Sequence, residues 1–392
     1  MPNPSASVTV IGSGSAEITV HPPNYYDEPA LRLAYDSSSK FSIDEAGGKF
    51  KKTKSNTPLE YVKKLQTDLI TLGYLPKPKD PKQSVATGVF VPATRRAVLR
   101  FQRHARRVYR ITRPAKPSSV QENEIDDVAQ GETFKGEMTG VCDHATALEI
   151  KKWLDRTWVN PVGRFRLRLL KVKGVLPRHT MRQDAADVWE KIVADVASAG
   201  GVLTATRNGY GDTVRWPAKS VAANKVGASS FSFHFSGRAV DIDQGFAGGS
   251  KRYFLLHEPA GDRTYWRILC KTDLQDGSQG VRYETGSVKH IKDVINLSAA
   301  EIPAGYYLDM TAAIEQSGKF KRIPAQPGFD DKTKKTPRNL EDRYNKTEWW
   351  HFQYTESVQA TFQDEMELVG FTEADLRSKG WARDEELDHP PG

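Results

Sequence analysis

Ser232-Phe-His234-Phe-Ser-Gly237-Arg-Ala239-Val-Asp241, followed far downstream by Glu348-Trp-Trp350-His351, decides how this chain of 392 residues is interpreted. Together the two stretches supply two imidazoles, one carboxylate that can bind a metal and one spare carboxylate. A catalytic zinc site needs this inventory: three protein ligands, an open fourth position for water and a general base beside it. The two stretches therefore predict a zinc-dependent site in the second half of the chain.

The spacing within the first stretch requires the chain to reverse. If extended, the residues from His234 to Asp241 would span about 23 Å, whereas two ligands of one metal lie close together. Gly237 is the expected place for the reversal, because glycine tolerates the backbone angles of a tight turn. On the returning strand, Val240 and Ile242 are then expected to face the core.

The second stretch leaves two arrangements open. Residues 348–354 are aromatic and typical of a strand, yet residues three apart in a flat strand face opposite sides of it. Either the strand bends between Glu348 and His351, or Glu348 lies just before the strand begins.

These residues resemble those of a known family, the zinc D-alanyl-D-alanine metallopeptidases, which include VanY-type carboxypeptidases and phage L-alanyl-D-glutamate endopeptidases. The family signature reads Ser-x-His-x-x-Gly-x-Ala-x-Asp and then Glu-x-Trp-His. Every fixed position is present here, as Ser232, His234, Gly237, Ala239, Asp241, Glu348, Trp350 and His351. The resemblance covers roughly residues 175–370. It implies that His234, Asp241 and His351 hold one zinc ion and that Glu348 is the catalytic base.

The resemblance also points to residues on the substrate side of the site. The family places an arginine upstream, in a Ser-Gly-Tyr-Arg-like segment. The similar stretch here, residues 204–209, offers Arg207, with Arg215 as a competitor. Ser232 is expected to orient a metal ligand by a hydrogen bond. Trp350 is expected either to line the substrate cleft or to pack in the core.

The first half of the chain contains an internal repeat. The stretch Thr87-Gly-Val-Phe-Val-Pro-Ala-Thr94 returns 52 residues later as Thr139-Gly-Val-Cys-Asp-His-Ala-Thr146, and a helical pattern of apolar residues follows each copy. Another helix is predicted before the first copy, because Thr57-Pro58-Leu-Glu60 is a capping box and apolar residues follow at helical spacing up to Gly73. A repeat of this kind indicates two similar units that share one core.

This half of the chain resembles the peptidoglycan-binding domain of bacterial and phage wall hydrolases, a small three-helix bundle. The resemblance rests on Leu65-Gln66, Leu72-Gly73-Tyr74, Gly88-Val-Phe90, Thr94 and Phe101-Gln102. It implies that the chain binds peptidoglycan and that residues 103–138 are an insertion between the two repeats.

The expected fold is therefore multidomain: an α-helical peptidoglycan-binding bundle followed by an α+β zinc peptidase domain with a small antiparallel sheet. The expected parts are an N-terminal hairpin and linker over residues 1–56, the helical domain over 57–158, the peptidase domain over 159–375 and a frayed tail over 376–392. Within the peptidase domain, Thr180-Met-Arg-Gln183 is expected to cap a helix. Residues 253–257 and 264–271 are expected to be strands, within a long gap between the two halves of the signature.

The charge balance favours anionic partners. The formal net charge is +8, and arginines cluster between residues 103 and 113, including Arg110, and between residues 164 and 168. Such a balance fits nucleic acid, anionic lipid or the bacterial envelope. Because no nucleic-acid motif accompanies the charge, we expect attraction to the wall and no nucleic-acid partner. The cysteines, Cys142 and Cys270, are too few for a disulfide framework or a Cys-rich metal site.

The chain carries no segment that predicts export or a membrane span. Residues 1–20 lack the basic start and the apolar core of a secretory signal, and no run of 18 or more apolar residues exists. We therefore expect a protein made in the cytoplasm and delivered to the wall by a holin, a contractile secretion machine or lysis. The expected partners are peptidoglycan, a delivery partner and, for an effector used against rival bacteria, an immunity protein; the protein itself is expected to be a monomer.

The predicted activity is cleavage of stem or cross-link peptides, by an endopeptidase or by a D-alanyl-D-alanine carboxypeptidase. Two rival classes stay open. A non-catalytic wall-binding module would not need Glu348, the carboxylate that is not a ligand. A muramidase would need paired carboxylates and no metal, so sensitivity to a chelator separates it from a zinc peptidase.

Overall fold

The computed structural model describes two compact units, residues 1–161 and residues 162–392. The residues described within them are 8–10, 18–20, 24–27, 31–34, 42–43, 58–77, 86–112, 124–171, 180–203, 231–242, 252–294, 297–326, 329, 344–381 and 383–391. None of the helices within these ranges is long and apolar enough to cross a bilayer.

Helices form the centre of the first unit. Helix α1 spans Pro58–Thr71, α2 spans Pro92–Ala105 and α3 spans His144–Asp155. Each buries an apolar face in one shared core, to which Leu65, Leu69, Val98, Phe101, Ile150 and Trp153 contribute. Gly73 follows α1 at a φ of 84°, the left-handed conformation in which a helix commonly ends. The predicted helical bundle is confirmed.

The first copy of the sequence repeat is a loop held by one glutamine. The Gln66 side chain, on α1, accepts a hydrogen bond from the backbone N–H of Gly88 at 2.9 Å. Its amide donates to the carbonyl oxygen of Val89 at 2.8 Å and to the hydroxyl of Thr94 at 3.1 Å. Gly88 has a φ of 77°, which explains the glycine at this position.

The second copy repeats this arrangement atom for atom. Gln102, on α2, accepts from the backbone N–H of Gly140 at 2.9 Å and donates to the carbonyl of Val141 at 2.8 Å and to the hydroxyl of Thr146 at 3.0 Å. Gly140 has a φ of 75°, close to that of Gly88. The repeat in the sequence therefore reflects two copies of one buried glutamine clamp.

Short antiparallel strands accompany these helices. They are β1 (Val8–Val10), β2 (Ile18–Val20), β3 (Leu33–Ala34), β4 (Ser42–Ile43), β5 (Tyr109–Thr112), β6 (Glu124–Asp127) and β7 (Trp158–Val159). Strand β1 pairs with β2, as in the predicted hairpin, and β5 pairs with both β6 and β7. Helix α2 runs through Ala105, so the predicted insertion over residues 103–138 begins inside a helix.

Part of the N-terminal segment belongs to the core of the first unit. Tyr25 and Tyr26 are buried, and both hydroxyls donate to the carboxylate of Asp68 on α1. The backbone of Leu33 exchanges two hydrogen bonds with that of Cys142, at 3.0 and 2.9 Å. The expectation that residues 1–56 form only a hairpin and a linker is thus corrected, because this apolar stretch gains by covering the bundle.

Arg110 is a structural residue and not part of a basic surface. It is 1% exposed, and its guanidinium donates to the carbonyl oxygen of Ala105 at 2.7 Å, at the end of α2. The guanidinium also lies 4.9 Å from the centre of the Trp153 ring. Arg110 therefore closes the C-terminal end of α2, where carbonyl oxygens lack partners within the helix.

The second unit combines helices with antiparallel sheets. Its strands are β8 (Leu167–Leu169), β9 (Thr180–Arg182), β10 (Ala239–Asp241), β11 (Tyr253–Ala260), β12 (Arg263–Lys271), β13 (Val281–Tyr283), β14 (Lys289–Asp293), β15 (Ser298–Glu301), β16 (Gly305–Asp309), β17 (Phe320–Arg322) and β18 (His351–Tyr354). Its helices are α4 (Gln183–Ser198), α5 (Met310–Glu315), α6 (Phe362–Leu368), α7 (Glu373–Ser378) and α8 (Asp384–Leu387).

Two sheets share the main core of this unit. One is three-stranded, in the order β10-β18-β17, and the other is six-stranded, in the order β13-β16-β12-β11-β14-β15. Trp189 of α4, Val240 of β10, Ile268 of β12 and Phe320 of β17 lie in a single apolar cluster. The α+β arrangement is confirmed, but the long gap in the signature adds a six-stranded layer to the small sheet that was expected.

The predicted capping box at Thr180 is wrong. Residues 180–182 form β9, which pairs with β8, and α4 begins behind it with Arg182 at the N-cap position and no side-chain cap. The Arg182 side chain is fully buried and is occupied by ion pairs with Asp184 and Glu365. Arg182 thus forms buried ion pairs, one of them with a residue 183 positions away, at the position where the local pattern predicted a helix cap.

The C-terminal residues are packed and not frayed. Leu376, Trp381 and Leu387 are 0%, 0% and 2% exposed. They form an apolar cluster with Phe235, from the first half of the signature, and with Phe362 of α6. The predicted tail over residues 376–392 is therefore corrected: it covers the turn that carries His234.

A buried ion network crosses the second unit. Glu365 of α6 accepts from Arg182 at 2.9 Å and from Arg238 at 3.2 Å to each carboxylate oxygen. Arg238 also donates to the carbonyl oxygen of Tyr354, at the end of β18, at 3.2 Å. All three charged side chains are at most 1% exposed. The network therefore joins β9, β10, β18 and α6 at one point.

The pKa values of the buried charged groups depend on their ion-pair partners. Burial lowers the pKa of Arg238 to about 10, against the opposing attraction of Glu365. For Asp184, burial would raise the pKa, but the charge of Arg182 and its hydrogen bonds outweigh burial and lower it. A carboxyl pKa that is lower in the folded state stabilises the fold above the unfolded pKa, and this contribution is lost as the pH falls through the folded pKa.

Replacing Glu365 tests the network. Glu365→Ala leaves two buried guanidinium groups without their shared carboxylate, so the free energy of unfolding should fall by about 3–5 kcal/mol. Chemical denaturation measured by circular dichroism gives this value. Glu385→Ala, an exposed side chain of α8, is the matched control and should change stability far less. Equal effects of the two substitutions would contradict a central role for the network.

Candidate metal centre

The first half of the signature forms a tight reversal that leads into β10. The backbone N–H of Phe235 donates to the carbonyl of Ser232 at 3.0 Å, and that of Gly237 donates to the carbonyl of His234 at 3.3 Å. Gly237 has a φ of 70°, in the left-handed region that glycine adopts at little cost. The chain therefore doubles back at the predicted residue.

Strand pairing brings the third predicted ligand, His351, to the first two. Strands β10 and β18 are antiparallel, and their register places Asp241 directly opposite His351. Val240 and Ile242 are fully buried in the core, as predicted. Because side chains alternate along a strand and cross-strand partners share a face, Asp241 and His351 point to the same side.

The three predicted ligands meet in a small triangle. Nε2 of His234 lies 3.1 Å from Oδ1 of Asp241 and 3.2 Å from Nδ1 of His351, and Nδ1 of His351 lies 3.0 Å from the same carboxylate oxygen. Ligand atoms bound to a tetrahedral zinc ion at about 2.0–2.1 Å are about 3.3 Å apart. The side chains are buried, with 1%, 1% and 7% exposure for His234, Asp241 and His351. In distance and in donor chemistry, the triangle could hold one metal ion.

The Asp241 carboxyl group is held in its charged form. Burial alone would raise its pKa, but the charge of His234 and hydrogen bonds from His234 and His351 outweigh burial and lower the pKa well below its usual range. An ionised carboxylate is the form that binds a metal, so the fold prepares Asp241 for this role.

Ser232 acts on the main chain of the turn. Its hydroxyl oxygen accepts a hydrogen bond from the backbone N–H of His234 at 3.3 Å, and the residue is 8% exposed. The hydroxyl thus influences the position of His234 through the backbone and not through the imidazole.

Glu348 lies just before strand β18, which settles the arrangement that the sequence left open. The backbone N–H of His351 donates to the carbonyl of Glu348 at 3.1 Å, so the residues between them form a turn. Glu348 itself has a φ of 52°, a conformation that is uncommon for residues other than glycine and is often found at functional sites. This turn removes the alternation that would put residues 348 and 351 on opposite faces of a flat strand.

A glutamine from outside the signature holds the Glu348 side chain. The amide of Gln326 donates to Oε1 of Glu348 at 2.5 Å, and the Glu348 side chain is half-buried. The backbone N–H of Gln326 donates to the carbonyl of Lys346 at 2.8 Å. Both the side chain and the backbone near Glu348 are therefore fixed by the same residue.

The six-stranded sheet supports this turn as well. The indole N–H of Trp266, on β12, donates to the carbonyl of Thr347 at 2.9 Å. The backbone N–H of Ala325 donates to the carbonyl of Thr264 at 2.8 Å, which connects the segment of Gln326 to β12. The layer inserted between the two halves of the signature is thus in direct contact with the residue before the predicted base.

Trp350 is a core residue. It is 2% exposed, as is Trp349, and its ring stacks on that of Tyr344 with centroids 5.2 Å apart. Of the two roles considered for Trp350, the described structure supports packing, and the expectation that it meets the substrate is corrected. The predicted substrate arginine Arg207, and its competitor Arg215, lie outside the described residues.

Several residues that shape the centre carry no signal of their own in the sequence. Arg238 stands at a variable position of the signature, and its partner Glu365 is 127 residues away. Gln326 and Trp266 lie in the gap between the two stretches. A polar residue inside a motif is a hint of a buried partner, but only the fold identifies that partner.

Comparisons with known proteins bear on the first unit. Residues 59–107 match a family model described as a putative peptidoglycan binding domain. The match includes α1, the first glutamine clamp and α2, and it supports association with the cell wall. No curated protein and no solved structure matched the chain significantly.

Proposed function

We propose that the protein is a zinc-dependent peptidoglycan peptidase that cleaves stem or cross-link peptides of the bacterial wall. The observation that carries the proposal is the buried triangle of His234, Asp241 and His351, with Glu348 on the turn that leads to His351. The match of residues 59–107 to a peptidoglycan-binding domain supports the wall as the place where the substrate is found. The signature that resembles the zinc D-alanyl-D-alanine metallopeptidases supports the reaction class.

In this proposal each residue has a distinct task. His234, Asp241 and His351 would hold zinc, which when bound supplies a Lewis acid and a water of lowered pKa. Glu348 accepts a proton from the attacking water and then donates it to the leaving amine. Gln326 holds the Glu348 carboxylate in one orientation through its amide. Arg207 is proposed to bind a carboxylate or a carbonyl of the substrate.

The position of Glu348 favours an enzyme over a wall-binding module without activity. A left-handed backbone costs about 1–3 kcal/mol for a residue other than glycine, and Glu348 has this conformation. Ligand binding by the two histidines and Asp241 does not require Glu348. Thr157, Leu297 and Ser357 share this conformation, so the support comes from its combination with the hydrogen bond from Gln326 to the Glu348 carboxylate.

The first prediction from this proposal concerns the metal. The purified protein should contain about one zinc ion per chain, because three ligands define one site. His351→Ala should lose both the metal and the cleavage of purified peptidoglycan. Elemental analysis and the release of soluble wall fragments are the measurements, with His257→Ala as a control histidine of the same unit. Full activity in the presence of a strong chelator would exclude the zinc mechanism and would favour a muramidase.

The second prediction separates chemistry from metal binding at Glu348. Glu348→Gln keeps the size of the side chain but cannot accept a proton, so activity on soluble wall peptides should fall by about 10²–10⁴ with the zinc content unchanged. Glu356→Gln, an exposed glutamate of the same region, should retain activity. A Glu348→Gln variant that loses zinc would instead make Glu348 a ligand.

The third prediction concerns Gln326. Gln326→Ala should lower kcat by about 10-fold, the scale of effects seen when the partner of a functional group is removed, while KM and zinc content stay constant. In a Glu348→Ala background the same substitution should have no further effect, because Gln326 acts through that carboxylate. Gln316→Ala, on the surface, is the control. Additive losses in the double variant would show that Gln326 acts elsewhere.

A further inference from the structure

Helix α2 differs in charge from the two helices beside it. It contains four arginines and neither aspartate nor glutamate. Helices α1 and α3 each contain two lysines and two acidic residues. The positive charge of the described helical bundle is therefore concentrated on one helix.

The arginines of α2 lie on one side of the helix. At 100° per residue, Arg95, Arg96, Leu99 and Arg100 fall within an arc of about 140°, and Arg103 extends the same face to a length of about 12 Å. Arg95, Arg96 and Arg100 are exposed, and Leu99 between them is 38% exposed. The opposite side of α2 is fixed in the core, so this face points to solvent.

These charges are not used inside the described part of the unit. Arg95, Arg96 and Arg100 form no ion pair there, whereas the neighbouring helices contain such pairs: Lys64 pairs with Asp68 at 2.5 Å and Lys151 with Asp155 at 2.5 Å. A cluster of like charges without internal partners is a site for anions, since mutual repulsion is relieved when an anion binds.

Among its described residues, the first unit exposes no aromatic side chain that could bind a polymer. An exposed aromatic ring commonly supplies the flat apolar contact area of a recognition site. Every described aromatic residue of the first unit is buried, namely Tyr25, Tyr26, Tyr61, Tyr74, Phe90, Phe101, Tyr109, Phe134, Trp153 and Trp158. On the described surface of this unit, charged side chains are thus better placed than aromatic ones to bind a polymer.

We propose that the exposed face of α2, formed by Arg95, Arg96, Leu99 and Arg100, is the wall-binding surface and that it binds the free carboxylates of peptidoglycan stem peptides. A guanidinium group pairs with a carboxylate through two parallel hydrogen bonds, and Leu99 offers an apolar contact for the short aliphatic side chains of such peptides. The proposal depends on the wall-binding part of the proposed function and not on the peptidase chemistry.

The test uses the full-length chain with Glu348→Gln, so that the wall stays intact during the measurement. Purified peptidoglycan stripped of phosphate-containing polymers is the probe, and bound protein is measured by sedimentation over a range of NaCl concentrations. The variant Arg95→Gln/Arg96→Gln/Arg100→Gln should bind about 10- to 100-fold more weakly, the sum of several exposed charge-assisted contacts. The matched control Lys63→Gln/Lys135→Gln/Lys151→Gln removes as much charge from elsewhere in the unit and should change binding by less than about twofold.

Chemical changes to the wall identify the anion that the surface binds. Amidation of the peptidoglycan carboxylates should weaken binding of the unaltered protein as much as the arginine substitutions do. Binding that is independent of both NaCl and amidation overturns the proposal without any variant. Strong binding only to walls that keep their phosphate polymers would assign the surface to phosphate instead. With Glu348 restored, the arginine variant should cleave soluble wall peptides at the unaltered rate, which separates failure of the surface from failure of the peptidase assignment.

Discussion

The register between β10 and β18 is the constraint on which the candidate metal centre depends. A slip of one residue would turn Asp241 into the core and bring an apolar side chain to the triangle. Val240 opposes this slip, because it is buried in the core on the other face of β10 and would leave the core in the slipped register. Arg238, at the entry to β10, resists it at the end, because its guanidinium reaches both Glu365 and the carbonyl oxygen of Tyr354 on β18. A buried charge network costs free energy to form. Its clearest structural effect here is to favour one register of β10 against β18.

The two halves of the centre are built by different means. The half with His234 and Asp241 is local: a turn, one glycine and a short strand place both ligands. The half with Glu348 depends on chain that is far away in sequence, since Trp266 and Gln326 fix the turn before β18. The six-stranded layer between the two stretches is therefore part of the support of the centre and not a passive addition.

The sequence predicted the parts of the structure whose chemistry is tied to spacing. The reversal at Gly237 and the helices of the repeat follow from residue types at set intervals, and the triangle of His234, Asp241 and His351 follows from the resemblance to a known signature. Prediction was weaker where packing or distant charge decides. The pattern at Thr180 was typical of a helix cap, but the buried pairs of Arg182 prevailed. Trp350 was compatible with a cleft or a core, and only tertiary contacts distinguish these. No pattern in the sequence predicts the hydrogen bond between Gln326 and Glu348.

The paired glutamine clamps have a consequence for how the first unit tolerates change. Helix α2 contributes Thr94 to one clamp and Gln102 to the other, so this one helix sets the distance between the two loops. Between α2 and Gly140, the backbone N–H of Thr139 also donates to Gln102, and Arg110 and Phe134 pack against the bundle. Strands β5 and β6 pair with each other, so we expect that the connection between these two strands can change in length without disturbing either clamp.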